Sequence, residues 1–320
     1  MKRVDHIQAE RDGAVLTVRV LNGPYNFLTG AVTSELARTL ARAEHRRGVR
    51  AVVLTGEVPG VFLGHYDAEE LLAGAEAGGM RVPAAAAPGP LRLVGALGRV
   101  PGAGRALDRS PVAGIRALLA FHGLIRRIQA SDKVYVAAID GLALGGGFEL
   151  ALACDIRVMG DGGYKVGLVE STLGLIPGGG GSQLLARTLG TGRTLELLLE
   201  GRLLGAQEAA EAGLVHRVVP HEDVRREAAA VALRLSQRAP GSVRAVKQAV
   251  HKGGSSSLGR GLAMERARFL ALASRRSTQE HLRRYAEGVR AHREKTGGDA
   301  ASFAEDCLPA WLAETGGDTR

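Results

Sequence analysis

The chain has 320 residues, 45% apolar and 23% charged, enough to build one large globular core or two small ones. It has no apolar run of about 18 residues and no apolar stretch behind the charges of MKRVDHIQAERDG, so neither a membrane-spanning helix nor a secretory leader is expected. The net charge of +9 is mostly arginine spread along the chain, which suits nucleic acid, membrane or a small polyanion equally, and two cysteines, Cys154 and Cys307, exclude a disulfide framework and fit the cytoplasm.

Residues 14–20, AVLTVRV, are rich in β-branched side chains and predict a strand, with a turn at LNGPYN behind it. Val32, Leu36, Leu40 and Ala43 then recur at helical spacing, and RAVVLTG (50–56) predicts a second strand. Gly74 to Pro111 is different in kind. It holds five prolines and five arginines, with Glu76 and Asp108 as its only acids. Its weak periodicity predicts a mobile surface insertion, or else a lid over a functional site. Helical spacing returns at Ile115, Leu118, Leu119, His122, Ile125 and Ile128. VYVAAIDG (134–141) predicts a third strand closing in an Asp-Gly turn, and DIRVMG and LVHRVVP predict two more. Strands alternating with helices imply a layered α/β core. From Glu222 the pattern is helical, marked by Val243, Val246 and Val250, then Leu262, Phe269 and Leu270, then Leu282, Tyr285 and Val289. The tail after Thr296 is expected to be loose.

The chemistry concentrates between Val134 and Gly181. Gly145, Gly146 and Gly147 follow a strand and open a helix-like run, so unpaired N–H groups with the helix dipole behind them suit a developing oxyanion. Glu149 falls in the first turn of that helix, where a carboxylate either complements the dipole or does chemistry. Glu170 follows a second glycine-containing turn. Two carboxylates beside glycine-rich turns provide what general acid/base catalysis needs, because different surroundings hold them in different protonation states. Gly178 to Gly181 lack the Lys-Ser/Thr pair of a phosphate loop. The histidines show no metal-ligand spacing, so no metal is expected.

The segments LNGPYNFL, GLALGGGFEL, ACDIRV, VESTLGLIPGGGG and GAQEAAEAGLVHRVVP, in that order, resemble the crotonase superfamily, also called the enoyl-CoA hydratase/isomerase family. The resemblance covers most of the chain. It implies an α/β fold with a spiral core of ββα units over residues 1–221, carrying the 74–111 insertion. It further implies a C-terminal helical trimerisation region over 222–295, and 296–320 remain as a tail. The expected assembly is a homotrimer or a hexamer.

The resemblance also assigns an oxyanion hole to the backbone N–H groups of Gly146 and of His65, which follows Gly64. Gly145, Gly147 and Pro177 would flank the substrate, and Glu149 and Glu170 match the hydratase glutamates. Four positions depart from the commoner pattern. His65 stands where a small residue is usual, and Val169 replaces a proline. Glu69 and Glu70 stand where a lysine follows the oxyanion position. The glutamates are 170 − 149 = 21 residues apart, one more than is typical. Arg283 and Arg284 are the candidates for the phosphates of coenzyme A. The implied reaction adds water to a 2,3-enoyl-CoA to give 3-hydroxyacyl-CoA, with no cofactor beyond the coenzyme A the substrate carries. A double-bond isomerase on the same fold needs only one base. A basic RNA-binding protein on this fold ranks lower, since the first long helix carries scattered arginines and no aromatic interleaving.

Overall fold

The computed structural model describes residues 6–307 apart from 79–82, 84, 99, 101 and 108–109. The first hairpin joins β1 (Ile7–Asp12) to β2 (Val15–Val20), and α1 (Gly30–His45) leads to β3 (Ala51–Gly56) and the short β4 (Gly60–Leu63). Three helices follow within or beside the proline-rich stretch: α2 (Ala68–Gly78), α3 (Pro88–Leu97) and α4 (Ala103–Leu107). The segment read from sequence as lacking elements therefore forms helices over much of its described length. Its residues 79–82, 84, 99, 101 and 108–109 lie outside the described ones.

The central run is α5 (Ala113–Ala130), β5 (Val134–Ile139), β6 (Gly141–Leu144), α6 (Gly146–Ala153), β7 (Ile156–Gly160) and β8 (Val166–Gly167). The strand read as ending in an Asp-Gly turn stops at Ile139, and Gly141 opens a strand of its own. A 3-10 turn, Glu170–Leu173, then leads to α7 (Gly181–Leu189), α8 (Thr191–Glu200), α9 (Ala206–Glu211) and β9 (Arg217–Val219). The chain closes on α10 (Val224–Ser236), α11 (Pro240–Gln248), α12 (Leu258–Ala273) and α13 (Arg276–Thr296), with a final turn at Phe303–Cys307. The predicted tail beyond residue 307 lies outside the described residues.

Two sheets form. The larger has the order β1-β2-β3-β5-β7-β9, antiparallel only at β1–β2. Side chains of a strand alternate between faces, and the alternation sorts two cores. Val52 and Leu54, with Tyr135, Ala137 and Ile139, enter the main core against α1, α5 and α6. Ala51 and Val53, with Val134, Val136 and Ala138, face Val224, Ala228, Val231 and Ala232 of α10. Strands covered on both faces read as continuous apolar runs, which is why these were legible. Each large apolar side chain so buried contributes about 1.5–3 kcal/mol.

The smaller sheet, β4-β6-β8, is parallel throughout and made of strands of two to four residues. Close backbone contact holds it to the larger sheet. Gly56 at the end of β3 lies so near β4 that a Cβ there would fall 2.1 Å from the Val61 carbonyl oxygen and 2.4 Å from that of Phe62, so this crossing excludes any side chain.

Candidate functional site

The smaller sheet aims the site. Leu63 pairs with Ala143, Ala143 with Val166, and Leu144 with Gly167, so β4, β6 and β8 finish at one edge. Within a few residues of those ends come His65, then Gly145 to Gly147, then Glu170. Parallel strands in register thereby gather three segments that are distant in sequence.

The first two segments pack backbone to backbone. A Cβ on Gly147 would lie 2.2 Å from the Leu63 carbonyl oxygen and 2.7 Å from that of Gly64. One on Gly145, whose φ is +49°, would lie 3.0 Å from His65 Cβ and 3.1 Å from Glu170 Oε1. The glycines read from sequence are needed for this approach. Gly64 is itself wedged between the Phe27 ring and the Tyr25 carbonyl. Among the described residues, no hydrogen-bond acceptor takes the backbone N–H of His65 or of Gly146.

Several groups that sequence reasoning missed hold this frame. Asn26 is fully buried and donates from Nδ2 to the carbonyls of Val20 (3.1 Å) and Phe62 (2.7 Å), tying the LNGPYN turn to β4. Glu70 accepts the Gly30 N–H at 2.9 Å and the Tyr66 hydroxyl at 2.6 Å. The acid standing where a lysine is commoner therefore caps α1, a role favoured by the helix dipole. The imidazole of His65 stacks on Phe27, centroids 4.5 Å apart, with Nδ1 2.7 Å from the Tyr66 carbonyl.

Glu149 lies in the first turn of α6 and is 2% exposed. Its carboxylate accepts the Gly179 N–H at 2.8 Å on both oxygens and the Gly181 N–H at 2.7 Å. A Cβ on Gly179 would lie 2.1 Å from Phe121 Cε1 and 2.6 Å from Glu149 Oε2. The GGGG run is thus a cradle for a carboxylate, and its only sequence signal was the run itself. Burial pushes the Glu149 carboxyl up to about 7, with the Glu170 charge adding to the rise and the two N–H donors opposing it.

Glu170 opens the 3-10 turn and is half-buried. Its Oε2 is buried and has no hydrogen-bond partner among the described residues. Burial raises its pKa, against its own backbone N–H and the His65 charge. Pro177 is buried beside Gly181. Arg283 and Arg284 lie exposed on α13, which packs on α12 and the terminal turn. Among the described residues, no three His, Cys, Asp or Glu side chains group as a metal site requires, and no helix is long and apolar enough to cross a membrane.

Comparison with known proteins places this geometry among relatives. The family model described as enoyl-CoA hydratase/isomerase matches residues 116–296. The mitochondrial methylglutaconyl-CoA hydratase of Rattus norvegicus is 34% identical over 299 residues, covering 92% of this chain and 81% of the relative. A probable enoyl-CoA hydratase of Mycobacterium tuberculosis is 46% identical over 134 residues, 42% of this chain and 52% of that protein, so the chain spans about half the length of that relative. Among solved structures, an enoyl-CoA hydratase of Bacillus anthracis superposes with a TM-score of 0.71 at 29% identity, covering 88% of this chain and 96% of the other. One from Geobacillus kaustophilus gives 0.73 at 25% identity, covering 89% and 95%.

Proposed function

The chain belongs to the enoyl-CoA hydratase/isomerase family, and from that premise we propose that it adds water across the 2,3-double bond of an enoyl-CoA thioester to give a 3-hydroxyacyl-CoA. The observation that carries the reading is the opposite hydrogen-bonding state of two neighbouring carboxylates. Glu149 receives N–H donors on both oxygens, which favour its anion against the burial that raises its carboxyl to about 7. Among the described residues Glu170 has a buried oxygen with no donor, which favours its acid.

The roles follow from those states. The thioester carbonyl accepts the N–H groups of His65 and Gly146, which stabilise the enolate as charge develops on oxygen, worth about 3 kcal/mol per donor. Glu149 removes a proton from water, the hydroxide oxygen bonds to C3, and the pair of the C2–C3 double bond moves toward C2. Glu170 delivers its proton to C2. Turnover leaves Glu149 protonated and Glu170 ionised, so one proton returns to Glu170 through solvent before the next cycle. Because Glu149 acts as the anion and its carboxyl sits at about 7, kcat/KM should rise with pH through that value. Coenzyme A arrives with the substrate, and no other cofactor is invoked.

The C-terminal helices are assigned to assembly. Neither α12 nor α13 has a buried residue, and Leu258, Phe269, Leu270 and Leu282 stand in solvent. Further copies of the chain, in a trimer or a dimer of trimers, would cover them. The activity is tested by offering enoyl-CoA thioesters of graded chain length and following the enoyl-thioester absorbance. Loss of absorbance with formation of the 3-hydroxyacyl product supports hydration. Migration of the double bond without uptake of water supports isomerisation instead.

A further inference from the structure

The face of α5 that meets the glycine cradle carries Leu118, Phe121 and His122, at i, i+3 and i+4 of one helix. Leu118 and Phe121 wall the backbone at Gly178 and Gly179 sterically. His122 does something different, since its Nε2 lies 2.6 Å from the Gly178 carbonyl oxygen. A carbonyl only accepts, so Nε2 carries the proton and donates.

That carbonyl belongs to the peptide unit whose other end is the Gly179 N–H, the group held by both oxygens of Glu149 at 2.8 Å. A peptide unit is planar and trans, so fixing its C=O direction fixes its N–H in the opposite direction. His122, the 178–179 peptide and Glu149 therefore form one line of hydrogen bonds. Each member polarises the next. Glycine on both sides leaves this peptide little intrinsic resistance to rotation. We propose that His122 is the positioning residue for the Glu149 carboxylate, holding the 178–179 peptide with its N–H toward the acid/base pair. The inference rests on the acid/base reading of Glu149 given above.

The groups around Glu149 make the consequence readable. Glu170 is the charge that acts on it, and Gly179 and Gly181 supply its donors. Strands β4 and β6 carry no charged side chain. The first charge on α7 is Arg187, engaged by Gln183 and Ser255. Besides His122, α5 carries Arg116, Arg126 and Arg127. Releasing the peptide removes a donor from the anion, so the Glu149 carboxyl should titrate higher than about 7.

The test compares His122→Ala, His122→Phe and His122→Gln in the full chain. Phe keeps bulk without a donor, and Gln restores an N–H. With 13C-carboxyl glutamate labelling, the Glu149 signal is assigned by its absence in Glu149→Gln. Its titration midpoint should move up by half a unit or more, on the order of the effect of one hydrogen bond to a charge, in Ala and Phe and return in Gln. With crotonyl-CoA as probe, kcat should fall roughly tenfold in Ala and Phe with KM little changed, the scale of a slightly misplaced catalytic group. An unmoved Glu149 midpoint in both Ala and Phe, or a Gln variant as shifted as Ala, overturns the proposal. A Glu149→Gln enzyme with full hydratase activity would instead sink the acid/base reading, whatever the His122 titrations give.

Discussion

The two glutamates stand a few residues beyond strand ends of one small sheet, yet their surroundings differ sharply. Glu149 is anchored in a helix, sealed from water and met by backbone donors on both oxygens. Glu170 opens a single 3-10 turn followed by the exposed Leu173, Leu175 and Ile176, with one oxygen that has no partner among the described residues. Burial raises both carboxyls. What separates them is the direction in which the nearby peptides point. Two residues of the same type are therefore differentiated by backbone geometry, and the glycines that permit that geometry matter as much as the acids.

The comparison breaks most severely at Gly179. A methyl group there would overlap the Phe121 ring and crowd the Glu149 carboxylate. Gly179→Ala should cost about 1–3 kcal/mol of stability through overpacking. It should also lower hydratase kcat by roughly two orders of magnitude, as loss of a general base does. Thermal melts and steady-state kinetics check both, and wild-type turnover in this variant would show that the cradle is unnecessary.

A pH series of Glu149→Gln against the wild type sharpens the contrast. The folded-state carboxyl sits at about 7 against an ordinary 4.5, so its stabilising contribution is complete below 4.5 and is lost as pH rises through 7. The wild type should lose up to about 3 kcal/mol relative to the Gln variant between those limits. Denaturant midpoints at pH 4.5 and 8 measure it, and a pH-independent difference contradicts the raised carboxyl.

The smallest effect belongs to His65→Ala. The substitution removes the stack on Phe27, about 1 kcal/mol of stability, and leaves the backbone N–H in place. Turnover should fall by no more than a few-fold. A loss of a hundredfold would mean that the imidazole itself takes part.

Legibility in the sequence followed burial. Strands β3 and β5 were visible because both faces are covered and their residues are apolar, β-branched or small without interruption, and β2, β7 and β9 because apolar and β-branched residues accompany the single arginine each carries. The first turn of α6 and the placement of Glu149 in it were visible from GGGFE. The smaller sheet was not. Its strands β4, β6 and β8 are too short for a period to show, and they exist by pairing with one another. The GGGG run was legible as a special loop but not as a carboxylate cradle, because its function lies in backbone N–H groups that every sequence has. Glu70 looked like a lost cation until its bonds to Gly30 and Tyr66 placed it at a helix end. His122 matched a helical apolar pattern and gave no sign that its ring reaches a carbonyl 56 residues away.

The central claim is that one water is added by two unlike glutamates, and the direct measurement is hydration kcat for Glu149→Gln, Glu170→Gln and the double variant on one enoyl-CoA. Each single change should lower kcat by roughly two orders of magnitude or more. Thioester binding should survive, and the double variant should lose far less than the product of the two effects, because the pair acts as a unit. A Glu149→Gln enzyme that keeps its activity while Glu170→Gln loses it would contradict the account and leave a single-base isomerisation in its place.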